Sequence, residues 1–324
     1  MFYNCNCIDG AKKYINDNSI DLIISDPPYG IDGDKLHKHY NRDEDFVLDG
    51  YVEIPENEYS QFSEEWIKEA ERVLKPGGSI YIVSGYTNLR HILNALSETQ
   101  LIEKNHIIWK FNFGVYTSKK YISSHYHILY YVKPGKNHTF NINAFYSDTE
   151  KSDTGGSLNY KDREDVWIIN REYKPGEIKN KNELPKDLLT KMILYSSNPN
   201  DLICDFFLGS FSTAKVAIGL GRKACGFEVS KTAFDYQIKQ IENIKHGSML
   251  DELRQVPSNK ITNRGKRLQN GEKDSIIADF NLLMSNGHLK KDAIENLSNK
   301  YGRGYWSILK IIDGNKEANS LFLF

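Results

Sequence analysis

Apolar positions along this chain alternate between two patterns. Short, near-continuous apolar runs occupy residues 20–25, 79–83, 201–205 and 223–228. Strands buried on both faces of a parallel sheet read this way. Residues 2–7 predict one more short strand, and residues 105–111 and 126–132 predict two that suit antiparallel partners. Between the runs, helical spacing predicts helices over residues 11–17, 59–74, 89–99, 184–195 and 213–220. Lys75-Pro76-Gly77-Gly78 ends the second of these helices. Residues 31–58 are polar and acidic without periodicity, and predict a long surface loop. Residues 133–181 are lysine-rich with little periodicity, the mark of an insertion or a set of long loops. Residues 257–273 form a basic linker, and residues 274–312 predict three short helices.

Strands alternating with helices predict an α/β fold built on a doubly wound, mostly parallel sheet with one antiparallel strand pair. The expected organisation is one domain over residues 1–256 and a small helical module over 257–324. Within that module, a helix over 290–301, the turn Gly302-Arg303-Gly304 and a helix over 305–312 have helix-turn-helix spacing. Lys266, Arg267, Lys290, Lys291 and Arg303 give it a basic side, which fits either a DNA contact or a packing extension.

Composition changes little at first. Of 324 residues, 40% are apolar and 26% charged, ordinary for a globular chain. No apolar stretch reaches the ~18 residues that span a bilayer. The first residues carry no basic and apolar leader, so the expected location is the cytoplasm. Cys5, Cys7, Cys204 and Cys225 are too scattered for a disulfide framework, and a reduced structural role is expected rather than zinc. The net charge of −1 alone argues against a nucleic-acid partner, but it is a cancellation. Residues 17–72 hold 16 acids against 5 bases, whereas residues 104–191 hold 15 bases against 10 acids, and 254–317 hold 12 against 7. One acidic block with two basic ones leaves a polyanionic partner open.

Two strand ends carry candidate chemistry, since ligands of open α/β sheets bind beyond the carboxyl ends of the strands. The first is Asp205 to Thr213, followed by Glu228. A strand runs into a loop with Gly209, where backbone can approach a ligand closely. Glu228 ends the next strand, placed to accept from ribose hydroxyls. The three-glycine dinucleotide fingerprint is broken at Phe211, which weakens the case for NAD or FAD and leaves other adenosyl cofactors open. The second is Asp26-Pro27-Pro28-Tyr29. The prolines fix the backbone, so the Asp26 carboxylate and the Pro27 carbonyl can both accept from one –NH₂ group. Tyr29 offers a ring face to a planar base.

Asp26-Pro27-Pro28-Tyr29 resembles the catalytic motif of amino-group DNA methyltransferases. Asp205-Phe206-Phe207-Leu208-Gly209-Ser210 resembles their S-adenosylmethionine loop. The order, catalytic motif first, is similar to that of the permuted β-class. Cys7-Ile8-Asp9-Gly10 is similar to the early acidic motif. Arg72 to Gly78 is similar to the helix-to-strand turn, and His125 with residues 128–133 to the late strand motif. Asp165-Val166-Trp167, Pro185, Ser196 and Ser197 match the segment leading into the cofactor loop. The resemblance departs at Phe206, Phe211 and Ser212, where the family has proline, glycine and threonine, and at Leu184 and Tyr126.

The resemblance implies a Rossmann-like methyltransferase sheet and methyl transfer from S-adenosylmethionine to a DNA base flipped out of the helix. Asp26, Pro27, Pro28 and Tyr29 would be catalytic. Asp9, Asp205, Phe207, Gly209, Ser210, Thr213 and Glu228 would hold the cofactor, with no metal. An acid-led motif implies adenine N6 rather than cytosine N4. The expected partners are double-stranded DNA, a second copy in a homodimer and a separate restriction endonuclease, with no membrane. The lysines of 133–181, among them Lys133, Lys136, Lys151, Lys161, Lys174, Lys179 and Lys181, would meet phosphates in a target-recognition region. The alternatives are cytosine-N4 methylation, methylation of RNA or a free nucleotide, and a catalytically silent DNA-binding regulator.

Overall fold

A computed structural model describes residues 1–28, 54–114, 116–171, 183–256, 263 and 266–320. Tyr29, most of the acidic loop, Lys174, Lys179, Lys181 and much of the 257–273 linker lie outside the described residues. Eight strands form one sheet: β1 (Phe2–Tyr3), β2 (Ile20–Ser25), β3 (Leu74–Ser84), β4 (Ile102–Lys110), β5 (His125–Val132), β6 (Val166–Ile168), β7 (Leu202–Asp205) and β8 (Lys223–Phe227). Their spatial order is β1-β8-β7-β2-β3-β5-β4-β6. Only β5 runs against its neighbours β3 and β4, and the other pairings are parallel.

Alternation along each buried strand sends side chains to two apolar layers. On one face Ile23, Ile80, Ile82 and Leu129 pack under α1 (Cys7–Tyr14), α2 (Tyr59–Val73) and α3 (Leu89–Ser97). On the other, Leu22, Ile24, Tyr81 and Ile128 pack under α5 (Lys186–Ser196) and α6 (Ser212–Gly219), with α7 (Lys231–Glu242) against the same layer. α4 (Leu158–Asp162) is a single short turn of helix, capped by the Ser157 side chain. From β2 the chain crosses by α2 to β3, on one side of β2. From β7 it crosses by α6, on the opposite face, to β8 on the other side. The crevice between the carboxyl ends of β2 and β7 is thus the topological switch point of the sheet.

Some local expectations change. Residues 5–7 do not continue the first strand. The Asn6 side chain accepts from the Ile8 amide (2.8 Å) and caps α1, which begins at Cys7 rather than at residue 11. Lys75-Pro76-Gly77-Gly78 does not separate α2 from the next strand. β3 starts at Leu74, and Gly77 (φ +82°) absorbs the irregularity. All four cysteines are free, and burial pushes the Cys7 thiol up to about 12. Residues 133–181 do not form one insertion. Residues 143–163 group with the C-terminal helices, and residues 133–142 and 164–171 belong to the sheet unit. β5 is antiparallel, so Lys133 emerges at the amino edge of the parallel strands, away from Asp26. There its ammonium donates to the Asn18 side chain (2.9 Å) and the Glu71 carbonyl (2.7 Å), in place of the phosphate contact that the sequence predicts for it.

The second compact unit comprises residues 143–163 and 254–324. Its helices α8 (Glu272–Ser285), α9 (Lys290–Tyr301) and α10 (Tyr305–Ser320) bury Ile276, Phe280, Ile294, Leu297 and Ile308. Gly302 (φ +59°) ends α9, and the tight turn predicted at 302–304 is present. Two of the five residues of the expected basic side, Arg303 and Lys290, are ion-paired. Arg303 is buried and paired with Glu272 (2.5 Å), and it also donates to the Lys266 and Arg267 carbonyls. Lys290 pairs with Asp313 and Lys300 with Asp279. Among the described residues, no helix is long and apolar enough to cross a membrane.

Asp21 stitches the centre of the sheet at its amino edge. Its Oδ2 accepts from the Leu202 amide of β7 (2.9 Å) and its Oδ1 from Lys75 Nζ of β3 (2.6 Å). Asp21→Ala leaves a partly buried amide unpaired and should cost about 1–3 kcal/mol in urea unfolding. Asp21→Asn keeps an acceptor and should cost visibly less in the same measurement.

Candidate functional site

Two adjacent strands deliver the candidate residues to one edge. β2 and β7 pair in register at Leu22–Ile203 and Ile23–Cys204. At their carboxyl ends the pairing is continued by a side chain, with Ser25 Oγ accepting from the Phe206 amide (3.1 Å). Two segments about 180 residues apart in sequence are therefore locked side by side where Asp26 and Asp205 leave the sheet. Asp26 and Pro28 are partly exposed and Pro27 is buried. Tyr59, the first residue of α2, donates its hydroxyl to the Pro28 carbonyl (2.7 Å) and fixes the path of the chain after Asp26.

The loop after β7 is a tight, self-braced turn. The Asp205 carboxylate accepts from the Phe207 amide (2.9 Å), and the Leu208 amide donates to the Phe227 carbonyl. Gly209 takes φ +51°, and its amide donates to Glu228 Oε2 (2.8 Å). Glu228 Oε1 accepts from the Ser230 amide (2.7 Å). Glu228 thus braces the glycine loop across the β7–β8 edge and keeps further lone pairs for a hydroxyl. Gly226 permits this approach, because a Cβ there would lie 2.2 Å from the Asp205 carbonyl oxygen. Ser210 and Thr213 are buried at the start of α6.

Asp9 reaches the same edge by a different route. β1 pairs with β8, and Asn4 Nδ2 donates to the Glu228 carbonyl (2.7 Å). α1 then begins against the end of β8, with Gly10 so close that a Cβ would lie 2.5 Å from the Phe227 ring. Asp9 sits exposed in the first turn of α1.

The electrostatics set this edge apart. Asp205 is only 5% exposed, and burial pushes its carboxyl up to about 6, with the nearby Glu228 charge adding to the rise. Burial likewise raises Glu228, against the pull of the backbone amides it accepts from. Two desolvated acids beside a close-approach glycine form a site that gains from an incoming cation.

The departures from the family loop have a physical account. Phe206 turns into the core, its ring 5.9 Å from Trp66 and 5.6 Å from Phe227. Phe207 is half-buried, edge-on to Trp66 (5.2 Å) and beside Phe62. Phe211 keeps the left-handed conformation (φ +60°) that a glycine would adopt there, and it directly precedes α6. Its side chain is fully buried against Phe2 (5.3 Å) and Phe234 (5.8 Å). The bulky ring therefore fills the core beneath the loop, and the bend survives with strain. Ser25 and Tyr59 were not singled out from the sequence. The signal for Ser25 was a hydroxyl closing an otherwise apolar run, but its partner is 181 residues away.

Comparisons with known proteins agree with one another. A family model described as DNA methylase matches residues 20–240. The chain is 32% identical over 277 residues to the DNA adenine methyltransferase YhdJ of Escherichia coli K12, covering 81% of this chain and 89% of that protein. It is 29% identical over 263 residues to the Type II methyltransferase M.HpaI of Haemophilus parainfluenzae, covering 78% and 79%. Among solved structures, the M1.HpyAVI–SAM complex superposes with a TM-score of 0.50 at 20% identity, over 74% of this chain and 97% of that one. The cytosine-N4-specific PvuII DNA methyltransferase superposes with a TM-score of 0.54 at 14% identity, over 79% and 93%. At these identities the superpositions establish the shared fold.

Phe211 supplies a test of the loop. Phe211→Ala should lose about 3–5 kcal/mol from the emptied aromatic site. Phe211→Gly, which relieves the left-handed strain, should be about 1 kcal/mol more stable than the alanine variant, the reverse of the usual order. Denaturant melts of the two variants decide it. Asp205 supplies a second test. Its carboxyl is raised in the folded state, so its burden on stability is present above about 6 and is relieved as pH falls toward the ordinary carboxylate range. Between pH 7 and pH 5 this group should add about 1 kcal/mol to ligand-free stability. The gain should vanish in Asp205→Asn, measured by urea unfolding at both pH values.

Proposed function

The chain belongs to the N6/N4 DNA methylase family and is a DNA methyltransferase that uses S-adenosylmethionine; from that premise we propose that it methylates N6 of adenine in duplex DNA. The observation that carries the reading is the Ser25–Phe206 hydrogen bond, which sets the Asp26 segment beside the Asp205–Glu228 loop at one edge of the sheet. Adenine is favoured because the motif is led by Asp26, and because the relative YhdJ is named an adenine methyltransferase. The permuted β-class assignment draws its support from chain order, with the Asp26 strand preceding the Asp205 strand.

The residues present suit the cofactor. Asp205 and Glu228 are buried acids whose raised affinity for protons marks a site that favours a positive charge. Bound there, S-adenosylmethionine supplies an electrophilic methyl group on a sulfonium. Glu228 would accept from its ribose hydroxyls and Asp9 from its adenine amine. Phe207, Gly209, Ser210 and Thr213 would shape the cleft around it.

The target amine is stacked inside the duplex, so its base must leave the helix, at a few kcal/mol. Stacking on Tyr29, worth about 1–3 kcal/mol, would offset much of this. An aromatic amine is a poor nucleophile because its lone pair is delocalised into the ring. Hydrogen bonds from its two N–H groups to the Asp26 carboxylate and the Pro27 carbonyl draw the nitrogen toward a tetrahedral shape and localise that pair. Asp26 would also balance the positive charge that grows on nitrogen. Pro28, held by Tyr59, keeps both acceptors in place. The proposal extends to a homodimer, the state the family resemblance implies, and to a separate restriction endonuclease, as the Type II names of the relatives suggest.

Incubation with labelled S-adenosylmethionine and plasmid DNA from a methylation-deficient host should place label on adenine N6. Label on cytosine N4 alone overturns the choice of base. Asp26→Ala should lower transfer by at least about 100-fold while cofactor binding persists. Glu228→Ala should weaken cofactor binding by about 10- to 100-fold in calorimetry, with Glu228→Gln between the two. A protein that binds DNA but no cofactor would instead be the silent regulator.

A further inference from the structure

A second body of chemistry collects at the same edge of the sheet as Asp26, on the connection between β4 and β5. Strand register places it there. Ser25 lies beside Ile82 of β3, Ser84 beside His127 of β5, and His125 beside Lys110 of β4. The turn over residues 111–124 therefore leaves the sheet from the edge that carries Asp26. A hydrogen bond from the Phe111 amide to the Ser124 carbonyl (3.0 Å) closes its base.

The side chains of this turn are not those of an idle loop. Tyr116 and Tyr121 are 80% and 97% exposed, and Tyr86, in the segment after β3, is 61% exposed. Lys120 ties the turn to that segment, with its ammonium 3.4 Å from the Tyr86 hydroxyl and 5.9 Å from the ring centre. At the base of the turn the Arg171 guanidinium lies over the rings of Phe111 (4.7 Å) and Tyr126 (5.1 Å). Its Nε is buried with no hydrogen-bond partner among the described residues.

Charge identifies the partner. Residues 104–147 contain no aspartate or glutamate at all, in a chain that is otherwise a quarter charged. Lys119, Lys120 and Arg171 thus stand at this edge with no acid in the turn itself, and the one acid of its two strands, Glu103, lies at the far end of β4, where it accepts from the Tyr131 hydroxyl (3.0 Å). Exposed rings interleaved with cations fit a ligand that offers both planar faces and phosphates.

We propose that residues 111–114 and 116–124, with Tyr86 and Arg171, form the surface that grips duplex DNA beside the target base. Lys119, Lys120 and Arg171 meet phosphates, and Tyr116 and Tyr121 stack on bases left exposed when the target base leaves the helix. The inference rests on the proposed DNA methylation and deepens it. It places the grip on the turn between β4 and β5 rather than on Lys133, whose ammonium is engaged at the opposite edge.

The test uses the full chain and three double variants: Lys119→Ala/Lys120→Ala, Tyr116→Ala/Tyr121→Ala and Tyr116→Phe/Tyr121→Phe. Filter binding of an unmethylated plasmid fragment across a salt series is measured beside cofactor affinity and methyl transfer. The lysine pair should weaken DNA binding about tenfold and lower the slope of log affinity against log salt by about 2. The alanine pair should lower kcat/KM for DNA by about 10- to 100-fold with cofactor affinity unchanged, and the phenylalanine pair should restore it, because stacking needs the ring and not the hydroxyl. Wild-type DNA affinity and salt slope in all three variants overturn the proposal. So does a loss of self-association in sedimentation with DNA binding intact, which assigns the patch to a second copy of the chain. A wild-type protein that transfers no methyl group defeats the methyltransferase reading instead, and the filter-binding comparison still decides the surface.

Discussion

Everything at the candidate site depends on the seam between β2 and β7. The seam is short, two register pairs of backbone, and side chains lengthen it at both ends. Asp21 accepts from Leu202 at one end and Ser25 accepts from Phe206 at the other. Between them these bonds align two segments from distant parts of the chain to within one strand spacing, about 5 Å. The crossovers from β2 and β7 run through α2 and α6, on opposite faces and in opposite directions, which makes the space beyond the seam the switch point of the sheet. The crevice is a consequence of topology, and the polar residues at the strand ends give it chemistry.

Strain and desolvation are concentrated there. Phe211 holds a backbone conformation suited to glycine, and a fully buried ring over-determines it. Asp205 and Glu228 are held away from water although both would ionise more easily in it. Each feature is unfavourable locally and is carried by the packing of two apolar layers around the sheet. Trp66, Phe206 and Phe227 do this on one face, and Phe2, Phe211 and Phe234 on the other. A site that stores such strain gains stability when a complementary charge arrives.

Much of this was legible in the sequence, for identifiable reasons. Buried parallel strands announce themselves as continuous apolar runs, and the two strand-end motifs follow such runs directly. The elements were therefore readable to within a few residues wherever period and punctuation agreed. They failed where a local device overrode the pattern. Asn6 caps a helix inside an alternating stretch, and Gly77 lets a strand pass through Pro76. Arg303 of the C-terminal helices departs from expectation for another reason. Composition counts Arg303 as a charge, but folding buries it against Glu272.

The sequence by itself determined the strand order of chemistry: an acid-led, proline-stiffened turn early, a glycine-bearing loop late, and an acid one strand further on. These are local patterns, and local patterns survive in one dimension. Only the tertiary structure decided which distant residues meet. It paired Ser25 with Phe206, set Tyr59 on Pro28, and buried the Phe211 ring in the core against Phe2. It also decided at which edge of the sheet each lysine emerges. β5 runs against its neighbours, so Lys133 emerges at one edge of the sheet while Lys119 and Lys120 stand at the other. That direction is a property of strand pairing, which no residue type encodes.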